Sequence, residues 1–177
     1  MKLMKKSNAN QHLIYAVMTG LFAAIITVLT AYVLHIPVGN GYVHMGDSFI
    51  FVAACLLPTP YAIAAGAIGA GLADALSGAP IWIPASIIIK SLITICFTSK
   101  SKKIISTRNI VAIIIAMIIT CTGYYVYEGF IYGNWTAPLV GIVPNIIQVV
   151  ANGVVFIVVG LALDAAGFKS KVLKSSR

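Results

Sequence analysis

All but one of the twelve lysine and arginine residues lie in three short clusters, and apolar sequence fills almost everything between them. The clusters are Lys2/Lys5/Lys6, Lys100/Lys102/Lys103/Arg108 and Lys169/Lys171/Lys174/Arg177. Lysine and arginine collect at the cytoplasmic ends of membrane helices. We therefore expect all three clusters on the cytoplasmic side, which requires an even number of membrane crossings between each pair.

The composition excludes an ordinary soluble domain. Hydrophobic residues make up 60% of the chain and charged residues only 9%, whereas a soluble protein needs far more polar surface to cover its core. A net charge of +8 would point to nucleic acid in a soluble protein, but here the bias of basic residues toward the cytoplasm explains it. We expect a multi-pass protein of the cell membrane with no nucleic-acid partner.

The apolar sequence divides into six predicted helices. Pro58 and Pro60 lie two residues apart and should end one helix before the next begins. Treating residues 47–76 as one span gives five helices and puts the basic clusters on opposite sides, so six are favoured. The predicted helices cover residues 12–34, 48–57, 61–76, 84–97, 109–131 and 137–165. The second is too short to cross a membrane untilted and needs shielding by its neighbours.

The sequence thus predicts an all-α polytopic membrane protein. It forms a single domain over residues 1–177, with six transmembrane helices and both termini cytoplasmic. This topology places the loops 35–46, 77–84 and 129–136 outside. The embedded charges, including Asp47 and Asp74, then gather in the outer half of the bundle, while Asp164 at the inner end is expected to be structural.

Ionisable and amide groups inside a membrane are candidates for function because burying them is costly. The spacing of Asn145, Gln148 and Asn152 puts three amides on one helix face, and that of Tyr124, Glu128 and Tyr132 does the same on another helix. An apolar cavity with a few convergent polar groups and aromatic rings suits a small heteroaromatic ligand. The hydrogen-bonding candidates are Lys90, Glu128, Asn145 and Gln148, and the aromatic or loop candidates are His44, Trp82, Tyr124 and Trp135.

Structural roles remain open for the same residues. Asparagine and glutamine also hold membrane helices together, and tyrosine and tryptophan also form belts at the membrane interface. Lys90 and Glu128 could form an ion pair that only joins two helices. His44 and His35, in the first outer loop, could simply be solvated.

The first predicted helix carries Ala16, Gly20 and Ala24 at four-residue spacing, with Ala23 and Thr27 alongside. Small residues at this spacing allow another helix to approach closely. The groove either packs inside the bundle or docks a second membrane protein.

Motifs for catalysis or cofactor binding are missing from the sequence. It has no phosphate-binding P-loop, HExxH or GxSxG pattern, and no cysteine-histidine metal cluster. We therefore expect no enzyme activity, no cofactor and no metal. The alternative functions are a small membrane enzyme, which lacks a convincing catalytic pair, and an accessory subunit without a ligand of its own.

The run GYVHMGDSFIF at residues 41–51 resembles the first outer loop and second helix of substrate-binding S components of energy-coupling factor (ECF) vitamin transporters. The run GAGLADALSG at residues 69–78 and the segment Ile89-Lys90-Ser91 continue the similarity. The order of these segments is closest to the riboflavin-transporter-like branch, which includes carriers of hydroxymethylpyrimidine and pyridoxine.

The resemblance implies six membrane helices, cytoplasmic termini and a pocket near the outer surface that the first loop closes. It also implies a small-molecule vitamin ligand and an energising module made of a transmembrane coupling protein and two cytoplasmic ATPases. The small-residue groove of Ala16, Gly20 and Ala24 matches the surface that S components present to the coupling protein.

Overall fold

The computed structural model describes residues 2–33, 36–38 and 41–175. His35 and Arg177, named above, lie outside these ranges. The elements are α1 (Lys2–Ala31), β1 (Ile36–Val38), β2 (Gly41–Val43), α2 (Gly46–Leu56), α3 (Thr59–Leu76), α4 (Ile83–Cys96), α5 (Thr107–Tyr132), α6 (Ile142–Ala165) and α7 (Phe168–Ser175). Short 3₁₀ segments, Pro80–Trp82 and Ala137–Gly141, lead into α4 and α6.

The six apolar helices predicted from the sequence are present as α1 to α6. The break at the two prolines is also present, because α2 ends at Leu56 and α3 begins at Thr59 with Pro60 in its first turn. A proline is tolerated there because the first-turn N–H groups lack helical partners anyway. The helix α1 starts ten residues earlier than predicted, since its polar first turns continue the same helix.

Three of these helices are long and apolar enough to cross a membrane, namely those over Asn10–Ala31, Thr107–Tyr132 and Ala137–Ala165. Gly46–Leu56 and Pro80–Cys96 are shorter apolar helices. Large apolar side chains such as Ile118, Phe130 and Val158 face outward. The chain therefore has the surface of a polytopic membrane protein, in which lipid replaces water around the bundle.

The short helix α2 lies at the centre of the bundle and packs against α1, α3, α4 and α6. All of its residues except Phe49 are buried. The ring of Phe51 stacks on Phe97 at 4.7 Å between centroids and meets the edge of Phe156 at 5.9 Å. The neighbouring helices thus provide the shielding that this 11-residue helix needs, as the sequence predicts.

The loop that precedes α2 contains secondary structure that the sequence analysis did not predict. It contains an antiparallel hairpin in which Ile36 pairs with Val43 and Pro37 with Tyr42. Each strand has only three residues, too few for an alternating pattern to be recognised in the sequence.

The helix α7 at the C-terminal end was not predicted. It follows Gly167, whose positive φ of 62° ends α6, and its second residue, Lys169, is buried. Close by, Asp164 accepts hydrogen bonds from the backbone N–H groups of Ile104 and Ile105. Asp164 therefore ties the loop between α4 and α5 to the end of α6, which is the structural role expected of it.

Candidate ligand-binding site

A cavity of about 100 Å³ lies at the end of the bundle where α2, α4 and α6 begin and where α3 and α5 end. The opposite ends of α4 and α6 are followed by basic residues, Lys100, Lys102 and Lys103 after α4 and Lys169 and Lys171 after α6. The polar and aromatic residues around the cavity are Thr30, His44, Asp74, Trp82, Ser86, Lys90, Tyr124, Glu128, Tyr132, Asn145 and Gln148. Seven of the eight ligand candidates from the sequence are among them.

Lys90 of α4 lines the cavity and forms a buried ion pair with Asp47 in the first turn of α2, behind the cavity lining. The distance from Lys90 Nζ to Asp47 Oδ2 is 2.9 Å, and the side chains are only 2% and 1% exposed. The sequence left open an ion pair between Lys90 and Glu128. That partner is wrong, because Lys90 pairs with Asp47 instead. Because α2 occupies the centre of the bundle, its Asp47 is within reach of Lys90.

Two amides of α6 extend this network. Gln148 donates its Nε2 to Asp47 Oδ2 at 3.2 Å. Asn152 accepts a hydrogen bond from the backbone N–H of Ser48 at 2.7 Å and donates to the carbonyl of His44 at 2.7 Å. The amide face predicted for α6 thus points inward and fixes the start of α2.

His44 is buried, so the solvated alternative for this residue is wrong. Its Nδ1 accepts a hydrogen bond from the backbone N–H of Gly46 at 3.2 Å and lies 3.4 Å from the hydroxyl of Thr30. The ring connects the hairpin to α1 at the rim of the cavity.

One wall of the cavity is aromatic. The rings of Trp82 and Tyr124 meet edge to face at 6.1 Å between centroids. The hydroxyl of Tyr124 lies 3.0 Å from Ser86 Oγ, and Lys90 Nζ lies 5.5 Å from the centre of the Tyr124 ring. These contacts fix the Tyr124 ring, which leaves an ordered aromatic surface for a ligand.

Glu128 lies one turn after Tyr124 on the same face of α5, beside the segment that leads into α6. Its carboxylate oxygens lie 3.5 and 3.6 Å from the position that a Cβ on Gly141 would take, and Asn145 Nδ2 lies 3.9 Å from the same point. The predicted face of Tyr124, Glu128 and Tyr132 is correct, since all three line the cavity.

Trp135 is the one ligand candidate that the structure does not bring to the cavity. Its ring lies over Gly129, where a Cβ would overlap it, and packs against Tyr125 and Phe130 at 6.0 and 5.4 Å between centroids. The side chain is 48% exposed. Because Gly129 has no side chain, the ring of Trp135 can pack on the outer face of α5, away from the other ligand candidates.

Two acids of the site were seen in the sequence but not chosen as candidates. Asp47 pairs with Lys90, and Asp74 is buried and lines the cavity. Their positions at the outer ends of two apolar helices could have identified them as site residues, because burying an acidic side chain in an apolar helix is costly unless it has a partner. Among the described residues, no group of histidine, cysteine and acidic side chains could hold a metal ion.

The small-residue groove of Ala16, Gly20 and Ala24 lies on the exposed face of α1. A Cβ added at Gly20 would meet none of the described atoms within 4 Å. The other side of the helix makes the internal contacts, since Ala23 is buried and Thr27 donates to the carbonyl of Gly69 at 3.0 Å. The groove therefore does not pack inside this chain, and its predicted role as a docking surface remains a prediction.

The chain matches a known protein family over most of its length. The family described as ECF-type riboflavin transporter, S component, matches residues 11–165. No curated protein and no solved structure matches the chain significantly.

Proposed function

This chain belongs to the ECF-type riboflavin transporter S component family, and we propose that it binds a vitamin or vitamin precursor of the hydroxymethylpyrimidine or pyridoxine type from outside the cell. Members of the family are integral membrane subunits that give an ECF transporter its substrate specificity, so the chain is a transporter subunit and not an enzyme. They work with a transmembrane coupling protein and ATPases.

The observation that carries the proposal is a buried polar network next to an aromatic wall. Lys90, Asp47 and Gln148 form a hydrogen-bonded group, of which Lys90 and Gln148 line the cavity. Tyr124, Glu128 and Asn145 line the same cavity, and Glu128 and Asn145 both lie near Gly141. A pyridine or pyrimidine ring stacks on an aromatic face, and its ring nitrogen and hydroxyl groups require such polar partners.

The size of the cavity favours a small ligand. Its volume of about 100 Å³ is below the range of about 300–1,000 Å³ that is typical for drug-sized ligands. A single substituted ring therefore fits this space better than the fused three-ring system of riboflavin. The hairpin of β1 and β2, through His44, lies at the rim, where it can cover the ligand.

The chain acts as a single domain with both termini in the cytoplasm, so the cavity faces outside. Uptake needs energy that this chain has no motif to generate, so a coupling protein and two cytoplasmic ATPases supply it. The exposed groove of Ala16, Gly20 and Ala24 supports docking of the coupling protein there, because small residues let a partner helix approach closely.

Calorimetry on the purified protein in detergent tests this function. The panel is pyridoxine, hydroxymethylpyrimidine, riboflavin, thiamine and niacin, and we expect one of the first two to bind with nanomolar to micromolar affinity. Binding of riboflavin alone would retain the family function but contradict the ligand type. If no compound binds, the chain is better described as an accessory subunit without a ligand of its own.

A further inference from the structure

We propose that the loop between α4 and α5, residues 97–106, binds the phosphate headgroup of an anionic phospholipid together with the first turn of α5. The acyl chains of this lipid lie along the outer surfaces of the two helices. The loop is at the end of the bundle opposite the cavity, so the lipid belongs to the cytoplasmic leaflet in the proposed topology. The inference does not depend on the identity of the vitamin ligand.

One buried side chain, that of Asn109, shapes this loop. Its Oδ1 accepts a hydrogen bond from the backbone N–H of Thr98 at 2.9 Å, and its Nδ2 donates to the carbonyls of Thr98 at 3.2 Å and Ile104 at 2.9 Å. The backbone N–H of Lys100 donates in turn to the hydroxyl of Thr98 at 3.2 Å. Because Asn109 is fully buried, it holds both ends of the segment 98–104 against the first turn of α5.

The loop and this turn carry four exposed basic side chains, those of Lys100, Lys102, Lys103 and Arg108. None of the four forms an ion pair with a described residue. The acid at this end of the bundle is Asp164, whose carboxylate accepts the N–H groups of Ile104 and Ile105. The other three acids of the chain lie toward the opposite end. Four positive charges against one carboxylate leave a surplus, and phosphate oxygens accept charge-assisted hydrogen bonds from such groups.

The surface that leads to these basic residues is apolar and exposed. Arg108, Val111 and Ile115 are spaced i, i+3 and i+7, which places them on one face of α5, and Val111 and Ile115 are exposed. On α4, which packs beside α5, Leu92 and Ile95 are exposed as well. A phosphate bound at the loop therefore has an apolar surface next to it for the acyl chains of the same molecule.

The length of this surface fits one leaflet. The hydrocarbon core of a bilayer is about 30 Å thick, so one leaflet contributes about 15 Å. Ten residues separate Arg108 from the exposed Ile118, and a helix rises about 1.5 Å per residue, so this part of α5 covers the same distance. An acidic protein in the cytoplasm could pair with the basic side chains but would leave the apolar surface uncovered. A phospholipid matches both parts of the site.

Native mass spectrometry on the purified protein in neutral detergent tests the inference. The protein is incubated with equal concentrations of phosphatidylglycerol and phosphatidylcholine that have the same acyl chains, and the readout is the ratio of the two bound lipids. We expect the wild-type protein to retain phosphatidylglycerol on the order of fivefold over phosphatidylcholine or better, because each basic residue near an anionic headgroup contributes about that factor. A ratio near one would overturn the inference.

Two double variants locate the site. Lys103→Gln with Arg108→Gln removes two charges at the loop, outside the cavity and the α1 groove, and should lower the lipid ratio severalfold. Lys171→Gln with Lys174→Gln removes two charges from α7 at the same end of the bundle and should keep most of the preference. The ratio is the readout because a general loss of folding weakens both lipids alike. An unchanged ratio in the loop variant, or an equal fall in both variants, would overturn the assignment to this loop.

Two further outcomes would assign the loop to another partner. Displacement of phosphatidylglycerol by an equal concentration of inorganic phosphate would show that the loop recognises phosphate without the lipid. A wild-type lipid ratio in the loop variant, together with loss of ATP-dependent uptake in cells that contain the ECF module, would show that these basic residues dock an acidic protein surface. Either result would overturn the assignment to a phospholipid.

Discussion

Lys90 Nζ and Asp47 Oδ2 lie 2.9 Å apart, and this buried contact joins α4 to the first turn of the central helix α2. Gln148 donates to the same carboxylate oxygen from α6. Three helices therefore meet at one oxygen atom behind the cavity lining. Breaking the contact should affect both the stability of the bundle and the shape of the site.

Because Lys90 and Asp47 pair with each other, the effects of substituting each residue on the free energy of unfolding should not add. Asp47→Asn leaves the ammonium of Lys90 buried without its carboxylate, which should lower the free energy of unfolding by about 3–5 kcal/mol. Asp47→Asn combined with Lys90→Met removes both charges and keeps an acceptor for Gln148, so it should recover a large part of that loss. Thermal unfolding in detergent gives the comparison. A double variant less stable than Asp47→Asn alone would contradict this account of the pair.

The cavity predicts a specific loss of ligand affinity. Gln148→Ala removes an amide, and Glu128→Gln replaces a carboxylate oxygen that accepts hydrogen bonds by an amino group that donates them, so each should weaken binding of the tightest ligand by about 1–3 kcal/mol. Calorimetry on each purified variant provides the measurement. Trp135→Phe is the matched control, because that side chain packs on Gly129 outside the cavity. Wild-type affinity in both polar variants would mean that the ligand binds elsewhere.

The helices could be predicted from the sequence because their signals are local. The break at Pro58 and Pro60 follows from the geometry of proline alone, and the inward amide face of α6 follows from the spacing of Gln148 and Asn152. The groove at Gly20 was equally visible as a pattern. Its exposure depends on the position of α3, which no local pattern specifies.

The partner of Lys90 could not be predicted for the same physical reason. Asp47 and Glu128 both lie near the outer ends of their helices, and only the central position of α2 brings the first within reach. The position of Trp135 depends on the turn after α5, where Gly133 takes a positive φ of 59°, and on the bare backbone of Gly129. These are properties of the packed structure and not of a single segment.

Two helical glycines predict opposite responses to the same substitution. A Cβ at Gly69 of α3 would lie 2.8 Å from Ile26 Cβ and 2.9 Å from the carbonyl of Ala23, so Gly69→Ala must push α1 away and should cost about 1–3 kcal/mol. At Gly20 a Cβ meets no described atom within 4 Å, so Gly20→Ala should be neutral or raise stability by up to about 1 kcal/mol. The unfolding midpoints of the two purified variants test the contrast. Equal effects of the two substitutions on the unfolding midpoint would contradict this packing of α1 against α3.

Lys169, outside the membrane-spanning segments, predicts a dependence of stability on pH. Its side chain is 3% exposed and its Nζ has no hydrogen-bond partner among the described residues, and burial lowers the pKa of its ammonium below the usual 10.5. Between the lowered pKa and 10.5 the unfolded chain binds more protons than the folded one, so stability from this group rises with pH.

Lys169→Met removes the buried charge and keeps an extended side chain of similar shape. It should raise the unfolding midpoint at pH 7 and weaken the rise of stability that occurs as the pH increases toward 10.5. Lys171→Met, two residues along the same helix and exposed, is the control that should change neither. A less stable Lys169→Met protein at pH 7 would show that the ammonium has a favourable partner in the folded state.

The exposed groove of α1 predicts a separation of binding from transport. A bulky side chain at Gly20 or Ala24 would hold a partner helix away, so Gly20→Leu and Ala24→Trp should abolish ATP-dependent uptake in cells that contain the ECF module. Ligand binding to the isolated protein should stay near the wild-type value, because the groove residues do not line the cavity. Val158→Trp, on the exposed face of α6, controls for the effect of a bulky residue that faces lipid. Full uptake by both groove variants would place the docking surface on another helix, and loss of binding together with uptake would show that the groove supports the fold of this chain.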